Sequence, residues 1–149
     1  MNQGGKAMHI LICTIDDRQY GFDLTVVERS ILASEITPIP QAPDSVLGAI
    51  NMHGQIIPVI NLRSLLGLPP REIALNDHFV ICREGTKTIA LWVDRVKLVR
   101  SCTEEEFIPA RDIMADLDII RCALKDGDNI TLIFDLEKLI PGSIVAFNR

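Results

Sequence analysis

Short apolar runs separated by polar turns recur along the chain. Residues 8–15 (MHILICTI) are rich in β-branched and large apolar side chains, the polar DDRQ follows, and YGFDL resumes the apolar pattern, which predicts a strand, a turn and a strand. TVVERSIL continues as a short helical turn or a further strand, and the proline-rich ITPIPQAPDS continues as a loop. These segments predict a mainly β protein.

The run VLGAINMHGQIIPVINLRSLLG predicts a strand–turn–strand–helix unit. We expect a strand over residues 46–53, a reversal at Gly54-Gln55, because glycine accepts the positive φ of a type II′ turn, and a returning strand in IIPVI. Asn61 is placed to cap a short helix in LRSLLG, whose leucines recur at helical spacing. Gly67 is placed to end that helix.

The second half of the chain repeats the pattern of the first. The first repeat pairs ILICTIDDRQYGFDLTVVERSI with FVICREGTKTIALWVDRVKLV. The second repeat pairs LGAINMHGQIIPVINLRSLLG with IRCALKDGDNITLIFDLEKLIPG. In the second repeat, Asn61 and Asp135 take the same helix-capping position. Two halves, at about 8–70 and 75–141, predict two small β-barrels as subdomains, with an exchange of elements between them left open. The apolar runs exceed the needs of one small barrel, so we expect them also to line an interface between the halves.

Composition and charge narrow the classes of partner. Apolar residues make up 48% of the 149 residues, which is enough to bury a core. A net charge of −5 and the lack of any basic cluster predict no binding to nucleic acid. The N-terminal MNQGGKA lacks the apolar stretch of a signal peptide, and no apolar run reaches the length of a membrane span, so we expect a cytoplasmic protein without membrane insertion.

Motifs for chemistry are missing from the sequence. There is no nucleophile elbow, phosphate-binding loop or metal-ligand spacing, which predicts no catalytic residues, no metal and no cofactor. The four cysteines form no CxxC pair and are expected to be reduced and mostly buried, with disulfides or zinc as the minor alternative. Trp92 is expected to pack in a core or between the barrels, and Glu104–Glu106 to form a solvated surface.

Four residues of the central run have local structural explanations. Gly48 and Gly54 suit a close backbone approach and a tight turn. His53 suits a surface turn, and Asn51 suits a hydrogen bond to the local backbone. The residues by themselves therefore give these positions no binding role.

The same run resembles the signature of the CheW family of chemotaxis coupling proteins. In that signature a Gly-hydrophobic-hydrophobic-Asn-x-Arg-Gly hairpin precedes Pro-Val-x-Asp-Leu-Arg and a short helix, and LGAINMHGQIIPVINLRSLLGL is similar to it. YGFDLTVVERSI, TIALWVDRVKLV and NITLIFDLEKLI extend the resemblance over residues 8–141. The resemblance implies a single CheW-like domain over residues 1–149, built from two SH3-like five-stranded β-barrels with short helices.

Members of that family are non-enzymatic adaptors. The resemblance implies two partners, the cytoplasmic hairpin tip of a chemoreceptor and the regulatory domain of a CheA-type histidine kinase, and recruitment from the cytoplasm to membrane-bound receptor arrays. The chain carries no motif of a kinase or receiver domain, so we expect a standalone coupling protein. A kinase contact is expected on apolar strand surface of the first barrel, and Ile108 and Ile113 are expected to belong to a second, ring-forming kinase contact.

The resemblance also implies a receptor-binding groove between the barrels. Val27, Ile50 and Met52 are expected to supply apolar contacts there, and Asn51 and His53 to supply hydrogen bonds. The groove positions carried over from the family pattern are Val27, Arg29, Gly48, Asn51, Met52, His53 and Gly54. The alternative function is a double-barrel module that binds a small molecule in the inter-barrel cleft, which an enclosed apolar pocket would favour.

Three positions depart from the family pattern. His53 stands where the family usually has Arg, Arg29 where it often has an acid, and Asn61 where it has Asp. Asn61 preserves the helix cap, but His53 cannot supply the planar bidentate fork of an arginine. Either the cognate receptor differs too or receptor coupling is weakened, and we expect a chemosensory system with an output other than flagella, such as pilus motility.

Overall fold

The computed structural model describes residues 7–109, 112 and 118–140. Strands dominate this part of the chain, and two helices of four residues, α1 (Leu62–Leu65) and α2 (Leu136–Leu139), each follow a strand. The strands are β1 (Met8–Ile15), β2 (Arg18–Asp23), β3 (Val27–Leu32), β4 (Val46–Met52), β5 (Gln55–Ile60), β6 (His78–Glu84), β7 (Lys87–Val93), β8 (Arg95–Cys102), β9 (Phe107–Pro109), β10 (Ile120–Asp126) and β11 (Asn129–Phe134).

TVVERSIL takes both of the conformations that its pattern left open. A 3₁₀ turn over Leu24–Val26 leads directly into β3, and the Asp23 side chain caps the turn by accepting a hydrogen bond from the Thr25 backbone N–H. The proline-rich loop that follows β3 is irregular, as predicted, but its Thr37 forms a bridge with Ala49 of β4.

Both caps predicted for α1 are present, whereas the predicted cap of α2 is only partly formed. The Asn61 side chain accepts a hydrogen bond from the Ser64 N–H at 3.2 Å. Gly67, at φ 72°, and Leu68 donate their N–H groups to the carbonyls of Ser64 and Arg63, the hydrogen-bond pattern of a Schellman motif. Asp135 takes the corresponding N-cap position of α2, although its side chain makes no capping hydrogen bond.

The turn between β4 and β5 lies one residue earlier than predicted. His53 and Gly54 form it, with φ of 53° and 85°, whereas Gln55 already pairs with Met52. Positive φ at both central residues is the pattern of a type I′ turn, which matches the right-handed twist of the flanking strands. The prediction of a type II′ reversal at Gly54-Gln55 is therefore wrong, because His53 also adopts the left-handed conformation.

The strands form two sheets, and each sheet contains strands from both halves of the chain. The six-stranded sheet has the order β8-β1-β2-β11-β10-β9, and the five-stranded sheet has the order β3-β6-β7-β5-β4. Parallel seams of two residue pairs join β2 to β11 and β5 to β7. Each half thus contributes its first hairpin to one sheet and its later strands to the other.

This strand order is the exchange of elements that the division into two halves left open. The expected halves, 8–70 and 75–141, do not coincide with the two sheets, because hairpins β1–β2 and β6–β7 are each completed by strands of the other half. One sheet also has six strands instead of five, because the three-residue β9 adds to the β10 edge. The prediction of a mainly β fold in two sheets with short helices is confirmed.

Each sheet has its own apolar core, and a third cluster lies between the sheets. Along β1, Ile10 and Ile12 enter the core of the six-stranded sheet, whereas Leu11 and Cys13 enter the shared cluster. Strands β6 and β7 alternate in the same way between the shared cluster and the core of the five-stranded sheet, where Trp92 is buried as predicted. Burial on both faces explains why the apolar runs are nearly continuous.

The cysteines are free thiols, as predicted. Cys13, Cys82 and Cys102 are buried, and Cys122 is half-buried. Burial raises the pKa of the Cys13 thiol to about 12 and raises that of Cys82 further. Both thiols therefore stay protonated near neutral pH and act as small apolar side chains.

A network of ion pairs lies at the junction between the two sheets, where β7 ends. Arg63 of α1, only 4% exposed, donates from Nη2 to both carboxylate oxygens of Asp94 at 3.0 Å. Arg71 contacts the same Asp94 at 2.7 Å and binds the buried Asp77 through both terminal nitrogens at 2.8 and 3.0 Å. Because the Asp16 N–H also donates to Asp94, the network links the β1–β2 turn to the end of β7.

Asp77 is the most enclosed acid of this network. Its Oδ2 accepts hydrogen bonds from the Trp92 indole N–H at 2.9 Å and from the Ala74 backbone N–H at 2.8 Å. Burial acts to raise the pKa of Asp77, but the hydrogen bonds from Arg71, Ala74 and Trp92 outweigh it and hold the pKa below its ordinary value. The folded state therefore favours the charged carboxylate.

This shift predicts a loss of stability in acid. The pKa of Asp77 is lower in the folded chain than in the unfolded chain, so its contribution is present above about pH 3.9 and is lost as the pH falls through the folded value. We expect Asp77→Asn to lower the free energy of unfolding at neutral pH by roughly 2 kcal/mol and to flatten its fall below pH 4, as measured by urea denaturation at several pH values. An acid dependence as steep as in the unmodified chain would contradict this assignment.

Candidate functional site

The tip of the β4–β5 hairpin exposes three of the predicted receptor-groove residues. Asn51, His53 and Gly54 are all exposed. The Asn51 side-chain oxygen accepts a hydrogen bond from the Gly54 N–H at 3.0 Å, which holds the turn. Histidine tolerates the left-handed conformation better than a branched residue does, so the turn presents an imidazole to solvent.

Gly48 has a structural role in this strand. It is buried, and a Cβ added to it would overlap the carbonyl oxygen of Thr37 and lie 2.5 Å from Cγ2 of Ile36. The overlap arises because Thr37 and Ala49 exchange two backbone hydrogen bonds of 2.9 Å, which draws the loop after β3 onto β4. A glycine at this position is therefore required for the bridge, as the close-approach explanation predicts.

The apolar surface of the hairpin comes from a residue that the sequence did not indicate. Ile50 is buried in the core of the five-stranded sheet, and Met52 is half-buried against the same core. Ile56, which pairs with Asn51 across the hairpin, is 44% exposed. The sequence did not predict the exposure of Ile56, because β5 is a continuous apolar run. Without alternating polar residues, the outward-facing positions of the strand cannot be told from the inward-facing ones.

Val27 and Arg29 lie on the opposite edge strand of the same sheet. In the hydrogen-bonded order, β6 and β7 stand between β3 and the β4–β5 hairpin. Val27 packs against the cluster shared by the two sheets, and Arg29 is exposed. The neighbouring Glu28 lies at a register shift of β3 and pairs with Arg83 at 3.6 Å. The predicted groove residues therefore fall into two groups, on the two edges of one sheet.

Of the two predicted kinase-contact residues, one is described. Ile108 lies in the short edge strand β9, is half-buried and pairs with Ala123 of β10. Ile113 lies outside the described residues. The position of Ile108 puts this candidate contact on the six-stranded sheet, whereas the β4–β5 hairpin belongs to the five-stranded sheet.

Two clefts on the six-stranded sheet are open to solvent. The larger, of about 420 Å³, lies where β2 and β11 diverge, beside Arg18, Tyr20 and Ile130. The other, of about 300 Å³, lies beside Met8, Phe107 and Cys122 and is also open. Neither is lined by a predicted groove residue, and neither has the enclosed form that a small-molecule site would favour.

The described residues contain neither a cluster of metal ligands nor a membrane-spanning helix. Over residues 7–109, 112 and 118–140, no group of three or more potential metal ligands comes together. Within the same ranges, no helix is long and apolar enough to cross a bilayer.

A family model decides how this fold is classified. Residues 9–143 match the model described as a CheW-like domain. This chain belongs to the CheW-like family. The matched residues include strands of both sheets as well as the hairpin, so membership does not rest on the hairpin motif alone.

Individual CheW proteins agree with this classification. The chain is 35% identical over 101 residues to the chemotaxis protein CheW of Thermotoga maritima, an alignment that covers 68% of this chain and 66% of that protein. It is 27% identical over 138 residues to the chemotaxis protein CheW of Klebsiella aerogenes, covering 91% of this chain and 83% of the relative. The crystal structure of the scaffolding protein TtCheW from Thermoanaerobacter tengcongensis is similar, with a TM-score of 0.80, 26% identity and coverage of 87% of this chain and 90% of that one.

Gly48 gives a direct test of the hairpin's architecture. We expect Gly48→Ala to lower the free energy of unfolding by about 2 kcal/mol or more, because the new Cβ overlaps backbone atoms that a bridge holds in place. Gly85→Ala is the matched control, since Gly85 also has positive φ but a Cβ there meets no atom within 4 Å. Its expected cost is about 1 kcal/mol from the backbone alone. Equal losses in urea denaturation would show that the close approach at Gly48 is unimportant.

Proposed function

We propose that this chain is a chemosensory adaptor that couples the cytoplasmic hairpin tip of a chemoreceptor to the regulatory domain of a CheA-type histidine kinase. The observation that carries the proposal is the CheW-like match over residues 9–143, together with the similarity of the fold to a scaffolding protein. The adaptor works in the cytoplasm and is recruited to receptor arrays by its partners.

The receptor contacts the tip of the β4–β5 hairpin. The exposed Asn51 and His53 offer hydrogen-bonding groups, and the exposed Ile56 offers apolar surface beside them. An antiparallel helical hairpin needs such a combination, because its apolar side chains must be buried and its polar ones paired. Gly48 and Met52 support this surface from within the sheet, since one is buried and the other packs against the core.

The kinase contacts a different face. The predicted contact at Ile108 lies on the edge strand of the six-stranded sheet, away from the strands that carry the receptor contact. Separate sheets for the two partners allow one chain to hold both at the same time. This separation is what an adaptor requires, because competition for one surface would uncouple the receptor from the kinase.

His53 and Arg29 set the receptor preference of this chain. An imidazole presents two ring nitrogens with no fixed fork, and the exposed guanidinium of Arg29 adds a permanent positive charge on the other edge of the sheet. We therefore expect the matching receptor tip to have no carboxylate opposite position 53, since such a carboxylate would require an arginine there. We infer that the pathway controls an output other than flagella, such as pilus motility.

Titration calorimetry with the two partners of the same organism tests the proposal. We expect both the receptor hairpin tip and the kinase regulatory domain to bind with dissociation constants on the order of micromolar, as is usual for transient signalling contacts. Failure of both partners to bind would contradict the proposed function.

Substitution of His53 tests the receptor face. His53→Asn removes the imidazole but keeps a residue that tolerates positive φ. His53→Arg adds the planar guanidinium that can bind a carboxylate through two hydrogen bonds. We expect the receptor affinity to change by about threefold to tenfold in at least one variant, while kinase affinity and thermal stability stay the same. Unchanged receptor affinity in both variants would leave His53 with a structural role in the turn only.

A further inference from the structure

An apolar cleft of about 300 Å³ opens on the five-stranded sheet between two chain segments. One wall is the segment that leaves β3, with Ala33 and Ile36, and the other is the segment before β6, with Ile73 and Leu75. Leu75 is 92% exposed, and Leu32, at the end of β3, is 61% exposed. Exposed apolar side chains grouped beside an apolar cleft are typical of protein-binding surfaces.

The wall that carries Leu75 is held by hydrogen bonds. Asp77 accepts two hydrogen bonds that hold this wall in place. Its carboxylate accepts one from the Ala74 backbone N–H, and its backbone carbonyl accepts the other from the Ala33 backbone N–H, both at 2.8 Å. That carboxylate is in turn bound by Arg71 and Trp92. The second bond links the two walls to each other, so the cleft keeps its shape without a ligand. A preformed cleft loses little conformational freedom on binding, which favours affinity.

The rim of the cleft is negatively charged. Glu35 lines the cleft and Glu72 precedes Ile73, and both are exposed. Across the part of the chain that the structure describes, neither carboxylate has an ion-pair partner. The nearby Arg71 does not neutralise them, because its guanidinium is engaged by Asp77 and Asp94. Positive charges on a partner would therefore be attracted to this rim.

We propose that this cleft binds a short segment of a partner protein in which leucine-type side chains are flanked by Lys or Arg. The apolar side chains enter between the segments that carry Ile36 and Leu75, and the basic residues meet Glu35 and Glu72. The site is separate from the exposed hairpin tip, although Ile36 lies directly over Gly48 of the same sheet. It stands independently of the receptor and kinase contacts proposed above.

Fluorescence anisotropy with two labelled model peptides tests this proposal on the full chain. One peptide carries leucines at positions i, i+3 and i+4 with flanking lysines, and the other has glutamates in place of the lysines. Leu75→Ser removes the exposed anchor without disturbing a core, and Leu98→Ser is the matched control, because Leu98 is also exposed, at 52%, but lies on β8 of the other sheet.

We expect the lysine peptide to bind the unmodified chain and Leu98→Ser equally, and to bind Leu75→Ser about tenfold to a hundredfold more weakly. The glutamate peptide should bind more weakly than the lysine peptide, and Glu72→Lys should reduce that difference. Equal binding to Leu75→Ser and the unmodified chain, or equal losses in both serine variants, would overturn the proposal. A dimer in sedimentation equilibrium that Leu75→Ser dissociates would also overturn it, because the occupant would then be a second copy of the chain.

Discussion

Reciprocal strand exchange is the constraint on which the rest of this structure depends. Neither hairpin β1–β2 nor hairpin β6–β7 has a complete sheet within its own half of the chain. Each is completed by the other half through a parallel seam of only two residue pairs. Such short seams need support from packing, and the shared apolar cluster between the sheets provides it. The two sheets therefore behave as one body, with a fixed geometry between them.

The ion-pair network reinforces that body at its junction. Arg63 and Arg71 both bind Asp94, at the point where β7 of one sheet passes into β8 of the other. Arg71 also holds Asp77, which in turn fixes the segment that carries Leu75. A buried ion pair contributes little net stability when compared with apolar packing, but loss of one partner leaves an uncompensated charge. The network thus makes alternative placements of the linking segment costly, and it preserves the shape of the cleft above it.

The sequence predicted the strands and the ends of the helix α1 well, because these depend on neighbouring residues. It did not predict contacts between segments that are distant in the chain. The strands, the Asn61 cap and the Gly67 end of α1 follow from neighbouring residues, and the internal repeat predicted equivalent hairpins. Strand exchange could only be left open, because a repeat shows which elements are equivalent but not which ones pair. The pairing of Arg71 with Asp94 spans 23 positions and leaves no periodic trace. The exposure of Ile56 was not predicted for a similar reason, since it depends on which face of β5 the other strands cover.

Unfolding followed in the two sheets separately tests the central claim, that exchange makes them one body. The chain has one tryptophan, Trp92 in the five-stranded sheet, and one tyrosine, Tyr20 in the six-stranded sheet. Urea denaturation can be followed at Trp92 by intrinsic fluorescence and at position 20 by fluorine NMR of incorporated fluorotyrosine. The account predicts coincident transitions with the same midpoint and slope. Two separate midpoints, with one sheet folded while the other is unfolded, would contradict it.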